Sequence, residues 1–421
     1  MNILFINDNE PSSNIGCRAT AHGFRKISFN SRYKISNQIY IDELREGITP
    51  GDVNTKTQMA FVLSRLGNIS QLPSELNISS IYRSADKLYS LTPTNKQEIQ
   101  RLTNQWGLEI LPKNHRSLIK QSDIVLINGE GSFYKDRTHA RMMLYYAYLA
   151  SRLPNTKCVL SNLTLSFDNE FINPGLKSMA TFVLPQLDEV IFREPHSYAE
   201  YTNHFSGKNC TLAADVAFAS DNDRYDNLPI KTLFQLLEFW NDRAPKNQSL
   251  GEFVCIGGNS LYPVNDTASP PVDQYVELIK EMQKSYSIIL VPSKESDELY
   301  MRYVAQKASV PMVSSKNSLS LLRRLLSEAS VYIGGRYHPA VFALSGETPI
   351  ICFSTKQNKN EGLIEHSGID SKVFDAYRFS DYKYEISQLA GDLTNKYPNN
   401  QFKMRISELE NLAYKNYPKD F

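Results

Sequence analysis

Short, predominantly apolar runs alternate along this chain with longer stretches in which apolar residues recur at helical spacing. Ile3–Ile6, Ile124–Ile127, Cys158–Leu160, Glu189–Phe192, Phe253–Ile256, Ser287–Val291, Val331–Ile333 and Pro349–Phe353 are such runs. Consecutive apolar positions bounded by turn residues predict strands buried on both faces, as in parallel sheets. Helices are expected from about Arg137 to Arg152, from Pro195 through His204, from Asp297 to Lys307, and from Ser318 to Ser327. Pro195 suits a first helical position, where its missing N–H costs nothing. Asn14 to Thr20 is expected to open a further helix, Met179 to Leu184 lies in an amphipathic stretch, and two more helices are expected near 384–394 and 402–414. Strands alternating with helices define the α/β class.

The alternation is interrupted once. Between about Asp221 and Gly251 the chain turns polar around one helix, punctuated by Pro229 and Pro245. With 421 residues the chain exceeds one ordinary core. Two Rossmann-like domains facing across a cleft are therefore expected. The expected boundaries are 1–225, a linker at 226–250, a second domain at 251–375, and helices at 376–421 packing back toward the first.

Composition narrows the function more than the fold. Lys+Arg number 46 and Asp+Glu 45, a formal net charge of +1. Nucleic-acid binding needs clustered positive excess, so no nucleic-acid partner is expected. A small anion needs only two or three well-placed cations. The N-terminus lacks a basic leader with a cleavage site, and no apolar stretch is long enough to span a membrane, so a cytoplasmic protein is expected. The cysteines Cys17, Cys158, Cys210, Cys255 and Cys352 are scattered without a CxxC or Cys/His cluster, and no metal or cofactor is expected. Asn-x-Ser/Thr triplets, for example at Asn68, Asn162 and Asn265, read as chance without an export signal. Nothing in the sequence specifies an oligomer.

Open parallel sheets bind ligands beyond the carboxyl ends of their strands, where free backbone N–H groups and helix starts collect. Gly334-Gly335-Arg336-Tyr337-His338-Pro339 occupies such a place. Arg336 can give two parallel hydrogen bonds to a carboxylate or phosphate. If Arg336 and His338 lie in extended backbone just before a helix, their spacing sends both side chains to one side. An ordinary strand-to-helix turn with a surface arginine and a capping histidine explains the same residues. Asn128-Gly129-Glu130-Gly131-Ser132 reads as a strand end in a glycine turn, with Glu130 an exposed carboxylate that could serve as a base or merely as a helix-start charge. Arg193 ends a strand beside Glu194, an available ion-pair partner, and His196 reads as a helix-start residue. Gly257-Gly258-Asn259-Ser260 repeats the glycine-turn logic, while Asp215 and Asp297 read first as helix caps or turn residues.

These segments together carry a resemblance. Gly335-Arg336-Tyr337-His338-Pro339-Ala340-Val341-Phe342-Ala343-Leu344, Thr348-Pro349-Ile350-Ile351, Lys359 and Gly362-Leu363-Ile364 resemble the Arg-x-His region of the polysaccharide pyruvyl transferases. Asn14-Ile15-Gly16-Cys17-Arg18, Asn128–Ser132, Phe192–Tyr198 and Ala214–Phe218 extend the likeness over most of residues 10–370. The family more often has a run of glycines where Glu130 stands. The resemblance implies a GT-B-like pair of domains and transfer of the enolpyruvyl unit of phosphoenolpyruvate to a saccharide as a ketal, in cell-surface polymer synthesis. It implies that Arg193, Arg336 and His338 hold phosphoenolpyruvate in the interdomain cleft, His338 as phosphate ligand or proton donor. Gly335, Tyr337 and Lys359 are expected beside them, and Glu130 as the acceptor's base. Asn14, Gly16, Arg18, Gly129, Gly131 and Ser132 are expected to meet the acceptor or its carrier phosphate, with residues 10–60 and 129–141 shaping that side. The implied acceptor is a nucleotide- or lipid-linked sugar handled at a membrane's cytosolic face, consistent with peripheral membrane association. A nucleotide-sugar glycosyltransferase of GT-B type, and a non-catalytic saccharide-binding relative, are the competing expectations.

Overall fold

The computed structural model describes residues 1–48, 91–167, 174–205, 209–220, 228–243, 251–262 and 271–418. The triplets at Asn68 and Asn265, and part of the acceptor-side segment 10–60, lie outside them. The first series of strands is β1 (Asn2–Asp8), β2 (Lys34–Tyr40), β3 (Ile124–Phe133), β4 (Lys157–Leu165), β5 (Glu189–Phe192) and β6 (Cys210–Leu212), of which β1, β3, β4 and β5 grow from the apolar runs. The second series is β7 (Phe253–Asn259), β8 (Ser287–Val291), β9 (Val331–Gly335), β10 (Ile350–Phe353) and β11 (Val373–Phe374). Among the described residues they form two sheets, of order β2-β1-β3-β4-β5-β6 and β11-β10-β9-β7-β8. β1 pairs in parallel with β2 and β3, and β7 pairs in parallel with β8 and β9. The centres of β1, β3, β4, β5 and of β7 to β10 are wholly buried, as their unbroken apolar runs require. β2 was not anticipated, because KISNQIY carries polar residues throughout and is largely half-exposed at a sheet edge.

The predicted helices appear as Ile15–Asn30, Thr138–Ser151, Pro174–Val183, Pro195–His204, Glu295–Ala308, Leu319–Ser327, Lys383–Lys396 and Asn400–Ala413. Asn14 caps the first of them, its side chain accepting from the Gly16 N–H. Ser318 caps the Leu-rich helix in the same way. No helix among the described residues is long and apolar enough to cross a membrane.

Each sheet reverses strand order once, between β1 and β3 and between β7 and β9. Such switch points open crevices at the carboxyl ends of the strands. The strands fall on either side of residues 226–250, but compactness follows another line. One unit holds Met1–Asp8, Arg32–Val190 and Tyr201–Cys210; the other holds Asn9–Ser31, Ile191–Glu200 and Thr211–Phe421. The helix after β1 and the end of β5 thus belong with the second sheet. Within this second unit the helix Asn400–Ala413 lies near the short 3-10 helix Val216–Ala219, and Asn416 Nδ2 donates to the Ala214 carbonyl at 2.6 Å.

Candidate functional site

The expected glycine turns are strand. Gly334 and Gly335 close β9, Gly257 and Gly258 lie inside β7, and Gly129 and Gly131 lie inside β3. Their missing side chains make room for neighbours rather than for a turn. A Cβ at Gly335 would fall on the Asn259 carboxamide, and one at Gly257 or Gly334 on the Tyr332 hydroxyl. Asn259 is the register partner of Gly335 across the second switch point. It donates from Nδ2 to the Ser354 carbonyl at 3.0 Å and accepts the Leu261 N–H at 2.9 Å.

Beyond β9 the helix begins earlier than expected, at Tyr337, with Arg336 as its extended N-cap residue. His338 therefore sits in the first helical turn, and the same-side geometry of an extended Arg336–His338 pair does not apply. The two side chains go to different partners. Arg336 Nε donates to Asp297 Oδ2 at 2.9 Å, and its Nη2 donates to Asp297 Oδ1. Burial works against the charged form of Arg336, but the Asp297 carboxylate outweighs it and moves the pKa upward. Asp297 lies in the first turn of helix Glu295–Ala308 and also accepts the Ser293 N–H at 3.1 Å.

His338 turns instead to Asp215. Its Nε2 stands 3.7 Å from Asp215 Oδ2. The same oxygen accepts from Arg193 Nη1 at 2.8 Å, between side chains 2% and 0% exposed. The buried partner of Arg193 is thus Asp215, where the sequence had offered its neighbour Glu194. Glu194 accepts instead from the Ser197 N–H and hydroxyl, and burial pushes its carboxyl above the usual range. His196 is the second residue of its helix, with Nε2 2.8 Å from Glu365 Oε2.

Tyr337 is the hinge of this cluster. The Arg193 guanidinium lies 4.5 Å from its ring centroid, and Lys359 Nζ lies 5.9 Å away. Cations over an aromatic face are attracted by its quadrupole. Burial, then the Asp215 charge, drives the Tyr337 hydroxyl far above its ordinary pKa, so it is not an acid at neutral pH. Gly16 packs directly on the imidazole: a Cβ there would collide with His338 Nδ1. Arg18, two residues further along that helix, is half-buried, its Nε atom has no hydrogen-bond partner among the described residues, and burial lowers its pKa.

Glu130 needs the largest correction. It is 8% exposed, not an open carboxylate, and lies within β3 at φ 45°. Asn128 Nδ2 donates to its Oε1 at 3.2 Å. Asn7 in β1 and Asn162 in β4 also have left-handed backbone, at φ 64° and 56°. Asn7 Nδ2 donates to the Asn128 carbonyl at 2.6 Å, and Asn162 Nδ2 approaches Asn128 Oδ1 at 3.4 Å. Three adjacent strands each carry a conformation that costs most residues on the order of 1 kcal/mol. Ser132 is 7% exposed in the same strand end. This polar layer at the first switch point was only glimpsed in the sequence, through Asn128–Ser132. Asp215 and Asp297 were discounted there, because an aspartate before an apolar helix looks the same whether or not it also faces an arginine.

Among the described residues no group of three or more His, Cys, Asp or Glu side chains could hold a metal ion. Among the described residues no disulfide forms, and burial pushes the thiols of Cys158, Cys255 and Cys352 up.

Solved structures define the class. The chain is similar to the UDP-GlcNAc 2-epimerase from Neisseria meningitidis bound to UDP-GlcNAc, at 10% identity over 99% of each chain, TM-score 0.53. It is similar to the Methanocaldococcus jannaschii UDP-GlcNAc 2-epimerase in complex with UDP-GlcNAc and UDP, at 11% identity over 97% of this chain and 99% of that one, TM-score 0.51. A putative UDP-N-acetylglucosamine 2-epimerase from Listeria monocytogenes matches at 11% identity over 99% and 94%, TM-score 0.53. At such identities the likeness concerns the fold, which is the GT-B type with two Rossmann-like domains. No curated protein sequence gives a significant match. Within that class, residues 24–357 match the polysaccharide pyruvyl transferase model, and the chain belongs to that family. Glu130, Arg193, Arg336, Tyr337 and His338 fall inside the matched span, while Asn14, Gly16, Arg18 and Lys359 fall outside it.

Proposed function

We propose that the protein transfers the enolpyruvyl unit of phosphoenolpyruvate to a saccharide and closes it into a pyruvate ketal. The observation that carries this reading is the cation cluster around Tyr337. Arg193 and Lys359 lie over its ring, and Arg336 and His338 flank it in the chain. Phosphoenolpyruvate carries a carboxylate and a phosphate on one small frame, so it calls for several cations at fixed separations.

In the proposed reaction the donor's CH2 carbon takes up a proton and becomes CH3, leaving the neighbouring carbon electrophilic. One acceptor hydroxyl adds there and gives up its proton. The bond to the phosphate oxygen breaks, phosphate departs, and a second hydroxyl closes the ketal with loss of its own proton. Of the two hydroxyl protons, one balances that taken up by the methyl group and one leaves with phosphate. Arg193 and Arg336 stabilise the carboxylate and the leaving phosphate, and His338 acts as proton donor or phosphate ligand. No resident cofactor enters this scheme.

The acceptor is a nucleotide- or lipid-linked saccharide, met by the amide, hydroxyl and carboxylate groups of Asn7, Asn128, Glu130, Ser132 and Asn162. Glu130 is the proposed base, and its burial means that the acceptor must reach it inside the polar layer. A thermal-shift comparison of phosphoenolpyruvate with a nucleotide-sugar panel tests the donor, because a ligand stabilises by mass action. Stabilisation by nucleotide sugars and not by phosphoenolpyruvate would turn the reading to a glycosyltransferase. A mass gain of one pyruvyl unit on a defined saccharide, with phosphate release, tests the reaction; saccharide binding without either would point to a non-catalytic relative.

A further inference from the structure

We propose that Asp215 is a positioning residue of the donor site, setting both the orientation of Arg193 and the tautomer of His338. The proposal deepens the donor-site reading and rests on it for what these groups do with a ligand. Its geometry stands on the ligand-free protein.

The two oxygens of Asp215 have separate tasks. Oδ1 accepts the Ala217 N–H at 2.8 Å and ties the carboxylate to the short helix Val216–Ala219. Oδ2 accepts from Arg193 Nη1 at 2.8 Å and faces His338 Nε2 at 3.7 Å. A cap alone needs only the first oxygen. The second brings together two residues that are 145 positions apart in the chain (338 − 193 = 145).

The segment carrying Asp215 is held unusually firmly for a connection. Arg323, 2% exposed, donates from Nη1 to the Ala217 carbonyl at 3.0 Å and to the Ser220 carbonyl at 2.7 Å. Asn416 Nδ2 donates to the Ala214 carbonyl at 2.6 Å. Gly23 lies so close that a Cβ there would fall on the Val216 carbonyl. Buried side chains from the helix Leu319–Ser327 and from the chain's end thus fix backbone on both sides of one aspartate. Functional constellations need this kind of support, since small errors of placement cost large factors in rate.

Opposite Asp215, the ring of His338 rests on Gly16. Asp215 faces the ring from the connection, Arg193, just beyond β5, shares that aspartate's Oδ2, and the Tyr337 ring lies edge-on to the imidazole with centroids 5.4 Å apart. Cys17 and Arg18 follow Gly16 on the facing helix, and Lys359 lies across the Tyr337 ring. In a neutral imidazole one nitrogen carries the proton and the other accepts. A carboxylate oxygen facing Nε2 favours the proton on that nitrogen, leaving Nδ1 as the basic one.

The test is the 15N spectrum of histidine-labelled, ligand-free protein at a pH where the ring is neutral, with His338 assigned by comparison with His338→Gln. The wild type is expected in the Nε2–H form; a dominant Nδ1–H form would overturn the proposal. In Asp215→Asn the carboxamide oxygen can still cap Ala217, which turns the NH2 group toward His338. The ring is then expected to switch to Nδ1–H, and the variant to melt at a lower temperature, because the buried Arg193 charge loses its carboxylate. The same variant leaves the Arg193 charge without its carboxylate, so orthophosphate should bind several-fold more tightly. An unchanged His338 spectrum, or weaker phosphate binding in a folded variant, would reduce Asp215 to a cap. If Asp215→Asn does not fold, the wild-type tautomer decides alone. Failure of the wild type to bind phosphoenolpyruvate would sink the donor reading and leave the tautomer result standing.

Discussion

The two switch points of this protein are built from opposite materials. At the first, between β1 and β3, the strand ends carry carboxamides, the Ser132 hydroxyl and the Asp8 and Glu130 carboxylates, on backbone driven into left-handed conformations at Asn7, Glu130 and Asn162. Around the second, between β7 and β9, arginines are matched to aspartates and a histidine faces one of those aspartates. The contrast separates the energetics. Hydrogen bonds between neutral groups exchange against water for about 1 kcal/mol net, whereas a buried charge deprived of its partner costs several.

The largest expected effect breaks the charged region. Arg193→Met leaves Asp215 buried without its guanidinium and should lower unfolding free energy by about 3–5 kcal/mol, read by denaturant titration. Arg336→Ala has the same flaw as a functional test, because Asp297 is 1% exposed. Arg336→Lys keeps a charge while losing the two-pronged bond. It is expected to weaken phosphoenolpyruvate binding far more than it lowers stability, and equal losses would argue for a purely structural pair.

A pH titration comes next. Burial, then the Arg405 charge, lowers the His366 pKa to about 4, against 6.5 when unfolded. Between those values the unfolded chain binds more protons, so this contribution is complete above pH 6.5 and is lost as pH falls toward 4. Its size is on the order of 3 kcal/mol. His366→Asn should flatten that part of the stability profile, and a profile unchanged by the substitution would contradict the assignment.

Gly16→Ala should give an intermediate effect. Alanine normally improves a helix by about 0.5–1 kcal/mol over glycine. Here the methyl group meets the His338 ring, and overpacking of about 1–3 kcal/mol should exceed that gain. A stabilised variant with unchanged phosphoenolpyruvate binding would show that the imidazole has room to move. The smallest effect belongs to the first switch point. Glu130→Gln keeps a hydrogen-bond acceptor for Asn128 and should change stability by less than about 1 kcal/mol. If Glu130 is the base, the same change should slow pyruvyl transfer by about 10²-fold or more, measured on a defined acceptor.

Much of the framework could be read from residues in a row. Unbroken apolar runs located the buried strands, Pro195 and Asn14 marked helix starts, and the Arg336–His338 segment was recognised by its own residues. The edge strand β2 escaped because half-exposed polar strands carry no apolar signature. The glycines misled for a physical reason. A Gly that admits a neighbour's side chain, as Gly335 admits Asn259, looks in sequence like one that turns the chain.

What the sequence determined by itself was therefore what neighbouring residues carry: element type, the fold class that follows from it, and the family signature. What only the tertiary structure decided was pairing. Asp215 and Arg193 lie 22 positions apart, Asp297 and Arg336 lie 39 apart, and Gly16 meets His338 from the far end of the chain. Local propensity depends on neighbours within a turn or two, but a buried charge is compensated by whatever the fold brings within a few ångströms. No reading along the chain contains that distance.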